Sequence, residues 1–398
     1  MLKLNIMIAD LFSQDGIKTL EEAKHTVMYN KDLSGDSLLQ AMEIHQPDIL
    51  VVRSTKVTTE VIDVNPNLGL IIRAGAGTDT IDVAHASTKG LYVANCPGKN
   101  ATAVAELAMG LIVSIDRRLG ENYLLQKEGK WRKGMFSKCL GLKGRTLGLI
   151  GFGNISERVA ARALAFEMKI VAYDVVERNT KGVRFVSSPD EVLAEADIVS
   201  LHVPNLPSTK GMVDAEFLRK MKTNGVLINT ARGELINEDD LINHLESNQD
   251  FWYGTDVLKG EPSSKECDFE HPLAMHPRVY GSHHIGASTK QAEAEIGEEA
   301  VRVAQVFAST GQIDDVNWVN KNRIPSKKIL VIKANKSPTT FTEVYTALEA
   351  NEWEVSSTES TTCAGGHTII FKIHGNGPKD IEEKMISHDS VLSCTLSQ

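Results

Sequence analysis

The feature that most constrains the fold is an apolar segment that leads directly into two closely spaced glycines. Thr146–Ile150 has the pattern of a buried strand, Gly151 and Gly153 follow it, and a helical pattern begins at Asn154. Such glycines allow a tight turn and a close backbone approach to a pyrophosphate, which the helix N-terminus then favours. Asp174 ends the next predicted strand, about twenty residues on, where a carboxylate can accept hydrogen bonds from ribose hydroxyls. This unit predicts a dinucleotide site.

Two residues modify this pattern. Ser156 stands where the third glycine of the motif usually lies, a position that governs close packing between the helix and the strand. Asp174 disfavours NADP because a carboxylate repels a 2′-phosphate, whereas Arg178 lies close enough to offset that preference. We therefore predict NAD as the cofactor and leave its strictness over NADP open.

Short apolar runs alternate with helical patterns on both sides of the glycines, which is typical of parallel sheets built from βαβ units. Before the glycines, strands are predicted at Leu4–Ile8, Ile49–Val52, Leu70–Ile72 and Leu91–Ala94. After them, strands are predicted at Ile170–Tyr173, Ile198–Leu201, Val226–Ile228, Trp252–Val257 and Val279–Tyr280. The fold class predicted is α/β, with two doubly wound parallel-sheet domains.

The C-terminal part has a different pattern. Residues 317–326 are polar and lack periodicity, which predicts a linker. From residue 327 to 398 the order of predicted elements is βαββαβ, which indicates a small α+β domain.

Composition excludes several classes of protein. The chain has 398 residues and a net charge of −9, with none of the basic footprint of a nucleic-acid-binding protein. Its five cysteines form no cluster of metal-ligand spacing, so we expect no metal site. No apolar run reaches the ~18 residues of a membrane span, and the N-terminus has the pattern of a strand rather than a leader peptide. We expect a soluble, cytoplasmic protein with a small-molecule substrate.

Three polar residues follow strands of the second series. Arg232 follows Val226–Ile228, Glu261 follows Trp252–Val257, and His284 follows the short strand at residues 279–280. Ligands of open α/β sheets bind beyond the carboxyl ends of the strands, so all three side chains can reach one cleft.

These residue types suit the interconversion of a 2-hydroxy acid and a 2-oxo acid. A histidine can exchange the hydroxyl proton near neutral pH, and a neighbouring carboxylate raises its pKa and fixes its tautomer. An arginine can bind the substrate carboxylate with a bidentate fork. Simpler explanations stay open at this point, since Arg232 could form a surface salt bridge and Glu261 could be a solvated loop residue. The spacing does not choose between His283 and His284.

The whole pattern resembles the D-isomer-specific 2-hydroxyacid dehydrogenases over almost the entire chain. The motifs that carry the resemblance are Val-Val-Arg-Ser (51–54), Arg-Ala-Gly-Ala-Gly-Thr-Asp-Thr-Ile-Asp (73–82), Ala-Glu-Leu-Ala (105–108), Gly-Lys-Trp (129–131), the glycine loop, Thr-Ala-Arg-Gly (230–233) and His-Ile-Gly-Ala-Ser-Thr (284–289). The resemblance implies that Arg232, Glu261 and His284 are catalytic, and it selects His284 over His283.

The resemblance also implies a domain division and further site residues. A substrate domain would comprise residues 1–98 and 286–316, with the nucleotide domain, 99–285, inserted between them. The implied substrate-binding residues are Arg53 and Arg73 for a phosphate, and Gly75, Ala76 and Gly77 for a carboxylate. The implied cofactor-binding residues are Gly151, Gly153, Asn154, Ile155, Asp174, Thr209 and Asp256.

Within the family the chain is most similar to the members that oxidise D-3-phosphoglycerate with NAD. The C-terminal segment resembles the ACT regulatory domain of some of them, although Thr339 stands where their effector loop usually has glycine. The resemblance implies a homodimer or homotetramer, to which the apolar helix at 101–115 could contribute. Two alternatives stay open: a reductase of glyoxylate, hydroxypyruvate or another 2-oxo acid, and a non-enzymatic NAD-sensing protein similar to the dehydrogenase-related corepressors.

Overall fold

A computed structural model describes residues 3–176, 178–262, 266–320, 328–334, 340–363, 366–375, 380–387 and 391–397. None of the helices in this described part combines the length and the hydropathy that crossing a bilayer requires.

The first sheet contains five parallel strands. They are β1 (Asn5–Ile8), β2 (Thr26–Tyr29), β3 (Ile49–Val52), β4 (Leu70–Arg73) and β5 (Tyr92–Asn95), in the order β2-β1-β3-β4-β5. The helices between them are α1 (Gln14–Glu22), α2 (Gly35–His45), α3 (Thr59–Asp63) and α4 (Val83–Thr88). All four side chains of β3 are buried, because helices cover both faces of the sheet.

The second sheet contains seven parallel strands. They are β6 (Thr146–Ile150), β7 (Lys169–Tyr173), β8 (Val183–Phe185), β9 (Ile198–Leu201), β10 (Val226–Asn229), β11 (Trp252–Thr255) and β12 (Val279–Gly281). Their helices are α5 (Ala101–Arg117), α6 (Leu119–Lys127), α7 (Lys133–Phe136), α8 (Asn154–Ala165), α9 (Pro189–Glu195), α10 (Ala215–Lys220), α11 (Glu238–Ser247) and α12 (Pro272–Met275), with a 3-10 turn at Gly233–Leu235.

The strand order of the second sheet is β12-β11-β10-β9-β6-β7-β8. The chain leaves β6 toward one edge and returns to build the other half from β9, so the order reverses between β6 and β9. Ligands of such sheets bind at this switch point, beyond the carboxyl ends of the strands. Gly151 and Gly153 directly follow β6 and therefore lie there.

Helix α13 (Lys290–Thr310) follows the second sheet but packs on the first. Its residues Ile296, Val301 and Ala304 share a core with Ile6 and Ile72 of the first sheet. The chain thus returns to the first sheet after β12, while the exact domain limits stay a prediction.

Helix α5 packs within the second domain. Nine of its seventeen residues are buried, among them Ala105, Leu111 and Ile115, and these three belong to the core around β6 and β10. Its apolar character is therefore explained by packing inside its own chain, and the homo-oligomer stays a prediction.

The described start of the predicted linker is fixed to the first sheet. Trp318 forms an antiparallel bridge with Ala94 of β5. The fully buried Asn320 accepts a hydrogen bond from the Val93 N–H at 3.1 Å and donates one to the Leu91 carbonyl at 2.9 Å. Residues 321–326 of the predicted linker lie outside the described residues.

The C-terminal sheet is antiparallel, which confirms the predicted βαββαβ unit. Its elements are β13 (Lys328–Ala334), α14 (Thr340–Ala350), β14 (Trp353–Cys363), β15 (Gly366–Gly375), α15 (Ile381–Ile386) and β16 (Val391–Ser397), and its strand order is β14-β15-β13-β16. The loop that contains Thr339 lies outside the described residues.

Candidate active site

The structure brings His284 and Glu261 together. His284 lies beyond β12 and Glu261 beyond β11, and these two strands are neighbours in the sheet. The His284 Nδ1 lies 2.6 Å from Glu261 Oε2, within hydrogen-bond distance. The second Glu261 oxygen accepts the Leu258 N–H at 2.8 Å, which holds the carboxylate in place. Glu261 is thus a bound partner of the histidine rather than a free loop residue.

This pair shifts the pKa of both groups toward their charged forms. The hydrogen bond that His284 donates to Glu261 raises the pKa of His284 above 6.5, against the opposing effect of partial burial. Burial would raise the pKa of Glu261, but the hydrogen bond and charge of His284, the Leu258 N–H and the charge of Arg232 together lower it. Because Glu261 stays ionised, Nδ1 of His284 carries the proton that it shares with Glu261, and Nε2 is left for a ligand.

Asp256 organises the loop that carries His284. Its side chain is buried, and it accepts hydrogen bonds from Ser282 Oγ at 2.6 Å, the Ile285 N–H at 2.9 Å and the Gly286 N–H at 2.7 Å. The His284 N–H donates to the Asp256 carbonyl at 2.8 Å. His284 itself has φ +51°, a region in which non-glycine residues are uncommon and often functional. The carboxylate predicted to contact the cofactor therefore already has three donors from its own chain.

Arg232 is held by a residue that sequence reasoning missed, Asp79. The Arg232 Nε donates to Asp79 Oδ2 at 2.9 Å, and Nη2 lies 2.8 Å from the same oxygen. A Cβ on Gly77 would lie 1.8 Å from Nη2, so a side chain there would push the guanidinium out of its present position. This contact joins the loop after β4, in the first sheet, to the loop after β10, in the second. The sequence signal that could have identified Asp79 as a site residue is its place in the same motif as Gly77.

A second arginine lies against the other glycine of this loop. A Cβ on Gly75 would lie 1.4 Å from Arg73 Nη1. The Arg73 Nε is buried and has no hydrogen-bond partner among the described residues. Burial, followed by the charges of Arg232 and Arg53, lowers the pKa of Arg73 to about 10. The guanidinium groups of Arg73 and Arg232 therefore lie against the Gly75–Gly77 loop, and the charge of Arg53 is close enough to act on Arg73.

The glycine loop fits a dinucleotide. Gly151 has φ +84°, and a Cβ there would lie 2.7 Å from the His202 carbonyl, so the fold itself requires glycine. At Gly153 a Cβ would meet no atom within 4 Å in the described part of the chain, so packing there does not require glycine. The bare backbone at the N-terminus of α8 is what a pyrophosphate needs. The buried Ser156 donates from Oγ to the Gly151 carbonyl at 2.6 Å, which fixes the turn in place of the third glycine.

The other predicted cofactor residues lie around this loop. Asp174 accepts hydrogen bonds from the Phe152 and Val176 N–H groups. Each carboxylate oxygen can accept a second bond, so ribose hydroxyls can still be bound. Asn154 and Ile155 begin α8. The Thr209 Oγ donates to the Pro204 carbonyl at 2.6 Å and therefore shapes its own turn.

Comparison with known proteins identifies the family. Residues 109–286 match the model of the D-isomer specific 2-hydroxyacid dehydrogenase, NAD binding domain. The chain is 40% identical over 313 residues to a hydroxypyruvate reductase of Thermotoga maritima, an alignment that covers 78% of the chain and all of the relative. It is 37% identical over 336 residues to a D-3-phosphoglycerate dehydrogenase of Methanocaldococcus jannaschii, covering 83% of the chain but 62% of that relative.

Solved structures show the same similarity. An NAD+-bound 3-phosphoglycerate dehydrogenase of Entamoeba histolytica superposes with a TM-score of 0.67 and 30% identity, over 80% of this chain and 99% of that one. A glyoxylate reductase of Paecilomyes thermophila gives a TM-score of 0.72 and 26% identity, and the match covers 81% of this chain and 100% of that one. The nucleotide domain is an NAD-binding domain, and the chain belongs to the D-isomer-specific 2-hydroxyacid dehydrogenases.

Proposed function

We propose that, within this family, the chain oxidises D-3-phosphoglycerate to 3-phosphohydroxypyruvate with NAD, the first step of serine synthesis. The observation that carries this proposal is a cluster of three arginines. Arg73 and Arg232 lie against the Gly75–Gly77 loop, and Arg53 lines a cavity beside Ala74. In addition to burial, the charges of Arg232 and Arg53 lower the pKa of Arg73. A substrate with a carboxylate and a phosphate would relieve this repulsion, because each anion can bind its own guanidinium.

The proposed chemistry assigns a separate task to each residue. Bound NAD would supply the acceptor for the hydride of the substrate C2. His284 Nε2 accepts the proton of the C2 hydroxyl, and the imidazolium that forms is stabilised by Glu261 through Nδ1. In the reverse direction the same imidazolium returns the proton to the carbonyl oxygen.

Arg232 is proposed to orient the substrate. Its guanidinium donates from Nε to Asp79 and from Nη1 to the Ala231 carbonyl, at 2.9 and 2.7 Å. A guanidinium has five N–H groups, so donors remain for the carboxylate and the carbonyl oxygen of the substrate. The Gly75–Gly77 backbone would take the other side of the carboxylate, and Arg73 and Arg53 the phosphate.

A reductase of hydroxypyruvate is the second candidate. It is favoured by the 40% identity to the Thermotoga maritima protein, whose whole length the chain covers. It is also favoured by Glu293, which already forms an ion pair with Arg53 at 2.9 Å.

Substrate charge separates the two candidates. We would assay the wild-type protein, Arg53→Ala and Arg73→Met with three substrates. D-3-phosphoglycerate and D-glycerate are oxidised with NAD or NADP, and hydroxypyruvate is reduced with NADH or NADPH. The proposal predicts a higher KM for the phosphorylated substrate in both variants and an unchanged KM for the others. The control is Arg184→Ala, an exposed arginine on β8. Equal KM changes for all three substrates, or no oxidation of phosphoglycerate by the wild type, would contradict the phosphate assignment.

A further inference from the structure

A cavity of about 250 Å³ opens beside Arg53. Phe12, Ala74, Lys290 and Glu293 are among its lining residues. Ala74 directly precedes the Gly75–Gly77 loop, so the cavity adjoins the place proposed for the substrate carboxylate. Since one water occupies ~30 Å³ in the liquid, the space is large enough for a small anionic substituent.

Arg53 is held firmly at the wall of this cavity. The buried Asp10 accepts hydrogen bonds at one oxygen from the N–H groups of Arg53, Ser54 and Thr55, at 2.7, 2.9 and 2.9 Å. Three bonds to one carboxylate fix the backbone of this segment. The side chain of Arg53 is only 18% exposed, so its guanidinium meets ligands chiefly through the cavity.

One of the groups that meets it belongs to the chain itself. Glu293 Oε1 lies 2.9 Å from Arg53 Nη1, and its side chain is 38% exposed. Glu293 lies in the first turn of α13, where the helix dipole favours a carboxylate. The charge of Arg53 is therefore partly neutralised before a substrate arrives. Lys290, one turn earlier, is the other cation that lines the cavity.

We propose that Glu293 is a specificity-determining residue whose carboxylate competes with the substrate phosphate for Arg53. This inference rests on the proposed function, since it concerns the phosphate of that substrate. A phosphate carries about −1.5 to −2 charges at pH 7, so it is repelled by Glu293, which already occupies Nη1 of Arg53. A substrate without a phosphate escapes that cost. Glu293 would thereby lower the affinity for phosphorylated 2-hydroxy acids and leave the affinity for small 2-hydroxy acids unchanged.

The test is Glu293→Gln, which keeps the shape of the side chain and removes its charge. We expect the KM for D-3-phosphoglycerate to fall about threefold to tenfold, the range typical of a partly exposed charge pair. The KM for D-glycerate should not change. The matched control is Glu298→Gln, which removes the same charge from an exposed position on the same helix. In the Arg53→Ala background, Glu293→Gln should lose most of its effect, because the two side chains act through one contact.

The outcomes separate this inference from the proposed function. If the wild type does not oxidise D-3-phosphoglycerate but Glu293→Gln does, the activity proposed for the wild type is wrong, while the competition between Glu293 and a phosphate for Arg53 is supported. If the wild type oxidises D-3-phosphoglycerate and Glu293→Gln leaves the KM for this substrate unchanged or raises it, the inference about Glu293 is overturned and the proposed function is kept. If neither protein oxidises it, both are overturned.

Discussion

Nδ1 of His284 is joined to Glu261 Oε2 at 2.6 Å, and this contact leaves Nε2 as the ring nitrogen that can exchange a proton with a substrate. The hydrogen bond also raises the pKa of the imidazole above 6.5. Oxidation needs the neutral ring as a base. The value of kcat/KM for oxidation should therefore rise with pH through an apparent pKa above 6.5, and that for reduction should fall through the same region. Profiles in both directions check this, and a midpoint below 6.5 for oxidation would contradict it.

Replacement of Glu261 by glutamine should move that midpoint downward. The amide keeps a hydrogen-bonding group but removes the negative charge that favours the imidazolium. We expect the oxidation profile to shift toward lower pH, and kcat to fall about 100-fold, because the base is no longer stabilised after it takes the proton. NAD affinity, measured by fluorescence titration, should not change. A lower kcat with an unshifted midpoint would show that Glu261 does not act through His284.

Replacement of Asp79 by asparagine should weaken substrate binding. Asp79 orients Arg232 but is not expected to touch the reacting atoms, so KM should rise roughly fivefold while kcat changes less. Glutamate at this position should restore part of the loss. The control is Asp63→Asn. Asp63 is an exposed carboxylate at the end of α3, beside the first sheet, and it is paired with Lys89. An equal loss for Asp79→Asn and Asp63→Asn would point to a general charge effect instead.

A side chain at residue 153 should impair cofactor binding without impairing folding. A Cβ at Gly153 meets no atom of the described residues within 4 Å, so Gly153→Val should leave the melting temperature nearly unchanged. It should raise the Kd for NAD, because the backbone can no longer approach the pyrophosphate. The control is Gly110→Ala, because a Cβ at this position of α5 also has open space among the described residues. Unchanged NAD affinity in Gly153→Val would contradict the assignment of the pyrophosphate to this loop.

The sequence predicted the central strands and missed two edge strands. β3 is a continuous apolar run and β9 is apolar except for Ser200, and every residue of both strands is buried, so pattern alone finds them. β2 and β8 lie at sheet edges, and none of their side chains is fully buried, so they lack such a run. The predicted strand at 252–257 ends at Thr255, because the Thr255 Oγ1 accepts the Val257 N–H and turns the chain.

The candidate site was predictable only where it follows strand ends. Arg232, Glu261 and His284 each follow a strand of one parallel sheet, and topology brings such positions together. Asp79 lies 153 residues from Arg232 in the chain and belongs to the other sheet, so spacing could not reveal the contact. The ion pair of Arg53 with Glu293 likewise depends on the return of α13 to the first sheet.

The most direct test of the central claim compares His284 with its neighbour His283. His284→Asn is the sharper variant, because asparagine tolerates the positive φ of this position better than most residues. Two quantities are measured on the same preparation of each variant: the turnover of each 2-hydroxy acid and the affinity for NAD. We predict that His284→Asn and His284→Ala lower kcat by about 100-fold or more with NAD affinity retained, while His283→Ala keeps turnover. Turnover that survives in both His284 variants, or that is lost only in His283→Ala, would contradict the account.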